Sequence, residues 1–430
     1  MMHTRLYDFL EEKNIIFESQ FGFRKKHSTT HALVDLTEAI RKAIDNKKFA
    51  CGVFIDLQKA FDTVDHKILL AKLEHYGVRG VANDWFRSYL KNRKHYVSIS
   101  ETESEIATVN IGVPQGSVLG PLLFLLYIND LNISIMYSTT RHFADDTCLL
   151  NVNNSLKQLK KHMNRDLKNL YNWLIANKIS LNKDKTEVLL FRQPNKNINY
   201  NLKLKLNGKI LKFANSVKYL GVHLDPFLNW SYHVDSLAPK LTRASGMLAK
   251  IRHYVSEDTL RNIYFGIFHS LLTYGAQVWG QSQNKHINRI IKIQNKALRI
   301  INFAKFNSPT TNLYSKSEIP QFTDHISTQN FLLAHDFINY NLPIPLMKLM
   351  QLLTDKHNIN TRASEDLKFS LPKVKSVTGL NSISYKSSAG WNTLVSTIFY
   401  NEKKSPSALS KQTCKGKIHK HIIGNYITES

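Results

Sequence analysis

Two adjacent aspartates, Asp145 and Asp146, lie between two short apolar stretches, His142-Phe143-Ala144 and Thr147-Cys148-Leu149-Leu150. Stretches of that length around a two-residue break read as the arms of a β-hairpin, with the acids in its turn. A lone hairpin is marginal in water and needs further strands or a covering helix. The neighbouring sequence supplies both. Residues 50–57 (ACGVFIDL) read as a buried strand ending at Asp56, and residues 187–191 (EVLLF) as another. Leu156, Leu159, Met163, Leu167, Leu170 and Leu174 recur at steps of three and four, which predicts an amphipathic helix. A second helix is predicted from Asp65 to Gly77, and a hydrophobic one follows the loop Gly112-Val113-Pro114-Gln115-Gly116. The order strand, helix, hairpin, helix, strand predicts an α+β fold: a split βαβ, ferredoxin-like sheet with helices on one face.

Ser28-Thr29-Thr30 is placed to cap a helix carrying Leu33, Leu36, Ile40 and Ile44 on one side. Residues 95–99 and 105–111 are strand-like, and Leu202, Leu204 and Leu206 alternate up to the hairpin signal Asn207-Gly208. Beyond about Asp225 the pattern is helical. Residues 226–305 hold eleven Lys and Arg against three Asp and Glu, whereas residues 51–225 hold twenty-four against fifteen. The helical segment is therefore about twice as basic per residue as the sheet segment, as expected of an element that grips a phosphate backbone.

At 430 residues the chain is long enough for several subdomains. Its net charge of +25 points to a polyanionic partner. A membrane is the weaker choice. The longest apolar run, residues 118–128, is too short to span a bilayer and contains Gly120 and Pro121. No targeting signal is evident, and Cys51, Cys148 and Cys414 form neither a CxxC pair nor a disulfide framework, which suits a reducing intracellular compartment.

Adjacent acids in a half-buried turn repel, and the ordinary outcomes are a raised pKa or a bound cation. Carboxylate oxygens favour Mg²⁺, which takes a few protein ligands plus substrate phosphates. If the strand of Asp56 pairs beside the hairpin, three carboxylates meet and a two-metal site for phosphoryl transfer follows. An isolated Asp-Asp is ordinarily a solvated turn. Here Phe61 lies five positions beyond Asp56, Gln115 sits in a Pro-Gln-Gly loop, and Lys185 precedes a strand.

Those residues fall within six ordered blocks: FGFR (21–24) with Ser28-Thr29, FIDLQKAFDTVDH (54–66), GVPQGSVLGPLLFLLYIND (112–130), FADDT (143–147), ISLNKDKTEVLLF (179–191) and VKYLGVHLD (217–225). Over residues 15–305 the chain resembles the reverse transcriptases of non-LTR, LINE-type retrotransposons, particularly the jockey and CR1-like groups. The resemblance implies a right-hand polymerase with a fingers remnant (1–50), a palm (51–225), a basic helical thumb (226–305) and an accessory C-terminal region (306–430). It implies that Asp56, Asp145 and Asp146 hold two Mg²⁺ ions (Mn²⁺ being an alternative), and that Lys185 is a general acid. Leu57 and Gln58 would face the triphosphate, Phe61 would be the steric gate against ribonucleotides, and Gln115 and Gly116 would contact the nucleotide and template. Tyr219, Leu220 and Gly221 would form the primer grip, with Arg24 at template or triphosphate.

The implied partners are an RNA template, a DNA primer or target and dNTPs, in cytoplasm and nucleus. HNINTR (357–362) and SISYKSSAGWNTL (382–394) resemble the tail that follows the thumb in such elements, without an assignable chemistry. The stretch before the GFR block is short, so a truncated fingers region is expected. The alternative function is a catalytically inactive nucleic-acid-binding remnant. A viral RNA-dependent RNA polymerase is disfavoured, because Phe61 and FADD stand where it would have a small residue and Gly-Asp-Asp.

Overall fold

A computed structural model describes residues 1–182, 184–194, 202–355, 367–398 and 406–428. HNINTR (357–362) lies outside the described residues. The chain divides into two compact units. The first comprises Met1–Ser28, Lys48–Leu190 and Asn195–Ala214; the second comprises Thr29–Lys47, Phe191–Pro194 and Asn215–Ser430.

The first unit is built on a four-stranded sheet of β1 (Phe49–Ile55), β2 (Thr139–Phe143), β3 (Asp146–Asn153) and β4 (Glu187–Phe191), in the spatial order β2-β3-β1-β4. Helix Gly120–Ile128 lies between β1 and β2 in the chain, and helix Leu156–Ala176 between β3 and β4. This is the split βαβ arrangement the periodicities predict. Phe49, Cys51, Val53 and Ile55 share a core with Leu149, Val188 and Leu190 and with Leu159, Met163, Leu167, Leu170 and Leu174 of the second helix. Alternate residues of β1 thus meet the helices, and β1 is buried along its whole length.

Local chemistry sets the boundaries of the elements. Helix His66–His75 starts on Asp65, whose side chain accepts from the N–H of Lys67 and Ile68, and stops before Gly77 at a φ of 95°. Asn207 and Gly208 both have positive φ, 48° and 76°, and join a short hairpin as an Asn-Gly type I′ turn does. The segment between β1 and β2 carries two small hairpins, Arg93–His95 with Ala107–Val109 and Ser98–Ile99 with Thr102–Glu103, whose side chains are mostly exposed.

Buried polar groups stitch the unit together. The Tyr127 hydroxyl donates to the Asn177 carbonyl at 2.5 Å and accepts from the Asp65 N–H. Lys72 donates to Asp130 at 2.6 Å beneath the rings of Tyr127 and Trp173. Asp166 is wholly buried and accepts from the backbone N–H groups of Met136, Tyr137 and Ser138, fixing the approach to β2.

The second unit is helical apart from a short hairpin, Val217–Tyr219 with Val222–Leu224. Asp225 follows that hairpin, and its buried carboxylate accepts from the N–H groups of Phe227, Asn229 and Trp230. Helices Ser231–Ile251 and Asn284–Ile301 pack together, as do Phe322–Ile338 and Ile383–Thr397. In the latter pair Phe331 stacks on Trp391 at 4.6 Å, and Trp391 is completely buried. The SISYKSSAGWNTL stretch is therefore a packing element. Glu38, on helix Thr29–Asp45, accepts from the N–H groups of Ile383 and Ser384 at the start of that helix. Asp45 on the same helix accepts from the Lys375 N–H and the Ser376 hydroxyl. Among the described residues, no helix is long and apolar enough to cross a membrane.

Asp166→Ala leaves three N–H groups without their acceptor and is expected to lower the unfolding free energy by about 3 kcal/mol. Urea denaturation reads this directly. A loss below about 1 kcal/mol would mean that the 136–138 segment finds other partners.

Candidate active site

Strands β2 and β3 pair in antiparallel register from Thr139↔Leu150 to Phe143↔Asp146, leaving Ala144 and Asp145 as the two-residue turn. Ala144 has a φ of 56°, unusual for a residue with a Cβ, whereas Asp145 is not in the positive-φ region. The turn is held from one side. Residues 19–21 run alongside β2: the Phe21 N–H donates to the His142 carbonyl at 2.8 Å, and the His142 N–H to the Ser19 carbonyl. The Gln20 side-chain oxygen accepts from the N–H groups of both Ala144 and Gly22. A Cβ on Gly22 would lie 2.3 Å from the Ala144 nitrogen, so only glycine fits there.

Strands β1 and β3 pair from Phe49↔Asn153 to Ile55↔Thr147. Extending that register by one residue sets Asp56 opposite Asp146, on the sheet face away from the two helices. Directly opposed residues on one face of an antiparallel pair have Cβ atoms about 5 Å apart, and like charges there repel. Beyond Asp56 the chain is fixed by residues 180–182: Gln58 N–H to Ser180 carbonyl, Asn182 N–H to Asp56 carbonyl, and a bridge between Leu57 and Leu181. Leu57 is buried. This pairing ties the Lys185 block to the strand of Asp56, and Lys185 itself is exposed.

The electrostatics follow from the register. Crowding by surrounding protein, then the charges of Asp145 and Asp56, push the Asp146 pKa up to about 6, although Asp146 is exposed and solvent screens these effects. Burial, followed by the charge of Asp56, also raises Asp145. No three His, Cys, Asp or Glu side chains among the described residues stand close enough to hold a metal ion unaided. The donor chemistry nevertheless fits Mg²⁺, which binds through one or two carboxylates and completes its shell with water and substrate phosphates.

Phe61, half-buried, stacks on Phe124 at 4.5 Å and meets Phe23 edge-on at 6.3 Å. The Gly112–Gly116 loop docks on the same segment: Val113 N–H to Phe61 carbonyl, Gly112 N–H to Val64 carbonyl. A Cβ on Gly112 would lie 2.9 Å from the Asp62 carbonyl oxygen. Gln115 donates to Asp62 at 2.8 Å, and both Gln115 and Gly116 are exposed.

Arg24 is placed differently from its expected position at template or triphosphate. It forms a bidentate pair with Glu11, at 2.9 and 2.8 Å, donates to the Phe17 carbonyl, and is only 8% exposed. Its fork is occupied in anchoring the N-terminal helix Met2–Glu12. In the second unit, Leu220 and Gly221 form the turn of the Tyr219 hairpin with φ of 44° and 79°, and the Tyr274 hydroxyl donates to the Leu220 carbonyl. Gln20 and Asn129 escaped sequence reasoning; the Asn129 amide bonds Ile15 and Phe17, again securing the N-terminal segment.

A carboxyl whose folded pKa is raised is stabilised in its protonated form. Asp146 therefore adds stability below its unfolded value near 4, and that contribution is lost as pH rises through about 6. Because Asp146 is exposed and solvent screens its charge, Asp146→Asn is expected to raise the melting temperature of the metal-free protein by only about one degree at pH 7.5. It should also flatten the decline between pH 4 and 6. Thermal melts across pH check this, and an unchanged profile would remove Asp146 as its source.

The family described as reverse transcriptase (RNA-dependent DNA polymerase) matches residues 1–224. The chain is 30% identical to the probable RNA-directed DNA polymerase from transposon BS of Drosophila melanogaster, over 76% of this chain and 37% of that protein. It is also 30% identical to the RNA-directed DNA polymerase from mobile element jockey of the same species, over 75% and 36%. The chain thus spans little more than a third of the length of these relatives. Telomerase structures from Candida albicans (13% identity, 77% of this chain and 55% of that one, TM-score 0.35) and Candida tropicalis (11%, 97% and 60%, TM-score 0.42) align too loosely to bear on the fold. With the family pattern running from the first residue through the paired aspartates to Leu224, the chain belongs to the reverse transcriptase (RNA-dependent DNA polymerase) family, beside the polymerases of non-LTR retrotransposons such as jockey.

Proposed function

We propose that this chain is the polymerase portion of a non-LTR retrotransposon reverse transcriptase, adding deoxynucleotides to a primer 3′-hydroxyl on an RNA template. The observation that carries the reading is the β1–β3 register, which sets Asp56 against Asp146 beside the Asp145 turn. In this reading residues 1–50 belong to the fingers, 51–225 form the palm and 226–305 the thumb, with 306–430 accessory.

The 3′-oxygen attacks the α-phosphorus, forming the O–P bond as the bond to the β-phosphate oxygen breaks, and pyrophosphate leaves. Two Mg²⁺ ions, when bound, supply activation of the primer hydroxyl and neutralisation of the triphosphate charge. Asp56 and Asp145 hold them, and Asp146 completes the acidic set. The backbone at Leu57 and Gln58 faces the triphosphate. Lys185, exposed and joined to the Asp56 strand through residues 180–182, delivers a proton to the departing pyrophosphate. Phe61 is held against Phe124 and denies space to a ribose 2′-hydroxyl. Gln115 and Gly116 contact nucleotide and template, and Tyr219, Leu220 and Gly221 the primer.

Primer extension on an RNA template with Mg²⁺ tests the assignment. The unaltered chain should extend, and Asp145→Asn should lose about a hundredfold to a thousandfold, the scale expected when a charge-stabilising group is removed. Equal extension by both proteins would end the assignment. RNA binding without extension by either would favour an inactive nucleic-acid-binding remnant. Phe61→Ala should raise ribonucleotide incorporation relative to dNTP use. Unchanged sugar selectivity would return Phe61 to a packing role.

A further inference from the structure

The outer surface of helix Leu156–Ala176 carries a charge pattern that the catalytic turn does not use. The helix holds Lys157, Lys160, Lys161, Arg165 and Lys168, and its one acid, Asp166, is buried and engaged by backbone N–H groups. Lys160, Asn164, Lys168 and Asn172 follow one another at steps of four, a single stripe rising about 6 Å per step. Facing that stripe, Leu202, Leu204 and Leu206 turn into the core while Lys203 and Lys205 point to solvent.

Between them lies a groove of about 600 Å³. Its walls carry Lys160, Lys168, Lys203 and Lys205, together with Asn164 and Tyr171, and no acid is among the described residues that line it. The walls are tied together. Asn164 donates to the carbonyls of Lys160 and Lys203 and accepts from the Lys205 N–H at 2.8 Å. The neighbouring Lys209, by contrast, is neutralised by Asp184.

Four ammonium groups around one preformed groove repel each other unless an anion enters. Side-chain amides between the lysines offer neutral donors, and the Tyr171 ring offers a face for stacking. An apolar wedge for a lipid surface is missing from this lining. The helix that carries the stripe packs on the sheet face opposite the one that bears Asp56 and Asp146.

We propose that this groove is a second nucleic-acid anchor, binding the phosphate backbone of a single strand on the outer face of the palm helix. It goes beyond the polymerase reading and does not depend on it.

The test is equilibrium binding of a labelled single-stranded RNA across a salt series, without dNTP or Mg²⁺, so a failure to extend primers has no bearing on the result. The quadruple variant Lys160→Gln, Lys168→Gln, Lys203→Gln, Lys205→Gln is compared with a charge-matched one at exposed positions elsewhere, Lys42→Gln, Lys67→Gln, Lys91→Gln, Lys420→Gln. The groove variant should lose affinity at least about tenfold more, and its log–log salt slope should fall by about 3, near 0.7 for each of four phosphate contacts. Lys168→Glu alone, at an exposed position, should weaken binding in the same direction if the quadruple variant folds poorly. Equal losses for the two quadruple variants would overturn the proposal. So would an unchanged RNA affinity accompanied by lost binding to phosphatidylserine vesicles, which would make the groove a membrane contact.

Discussion

The antiparallel pairing of β1 with β3 is the constraint on which the first unit rests. Because side chains alternate along a strand, one register sends Phe49, Cys51, Val53 and Ile55 into the helix-covered core and leaves Asp56 facing Asp146. A slip of one residue would push the acids toward the helices and the apolar set out of the core, so burial and acid placement are chosen together. The apolar side chains enforce a geometry that the carboxylates resist. Burial first, and the neighbouring aspartate charges after it, raise the pKa values of Asp145 and Asp146.

The Ala144-Asp145 turn beside Asp146 is strained, and the support comes from far away in sequence. Ala144 keeps its positive φ because Gln20 satisfies its N–H and because Gly22 has no Cβ to push it away. Gln20 is held in turn by the 19–21 segment along β2, by Asn129 on Ile15 and Phe17, and by Arg24 clamped to Glu11. The FGFR block thus has a mechanical explanation: it braces the FADD turn from behind. Bringing Arg24 inward removes a candidate phosphate ligand and adds a structural one.

Periodicity made the sheet order legible, since helix and strand repeats differ and each run here was long enough to separate them. The acidic hairpin was legible because apolar residues flank it, but its turn falls one residue earlier than the sequence predicts, at Ala144-Asp145, with Asp146 opening β3. What escaped depended on contacts between distant residues that carry no local signal. Gln20 reads as any polar loop residue, and Asp166 as another charge on a helix surface, until the 136–138 segment folds onto it. The Thr29–Asp45 helix shows clear amphipathicity, yet nothing local says that it joins the second unit. Trp391 carries no local sign of what it meets, and in the structure it is buried against Phe331.

Glu38 and Asp45 give the C-terminal region a bearing on where the protein can be cut. Both acids are buried, and both spend their oxygens on residues 375–384: Glu38 on the start of the Ile383–Thr397 helix, Asp45 on Lys375 and Ser376. A shortened protein ending at residue 305 would keep the two acids and lose every one of these donors. The segment with no assignable chemistry is thus the counterweight of an early helix, and a minimal soluble fragment has to carry both.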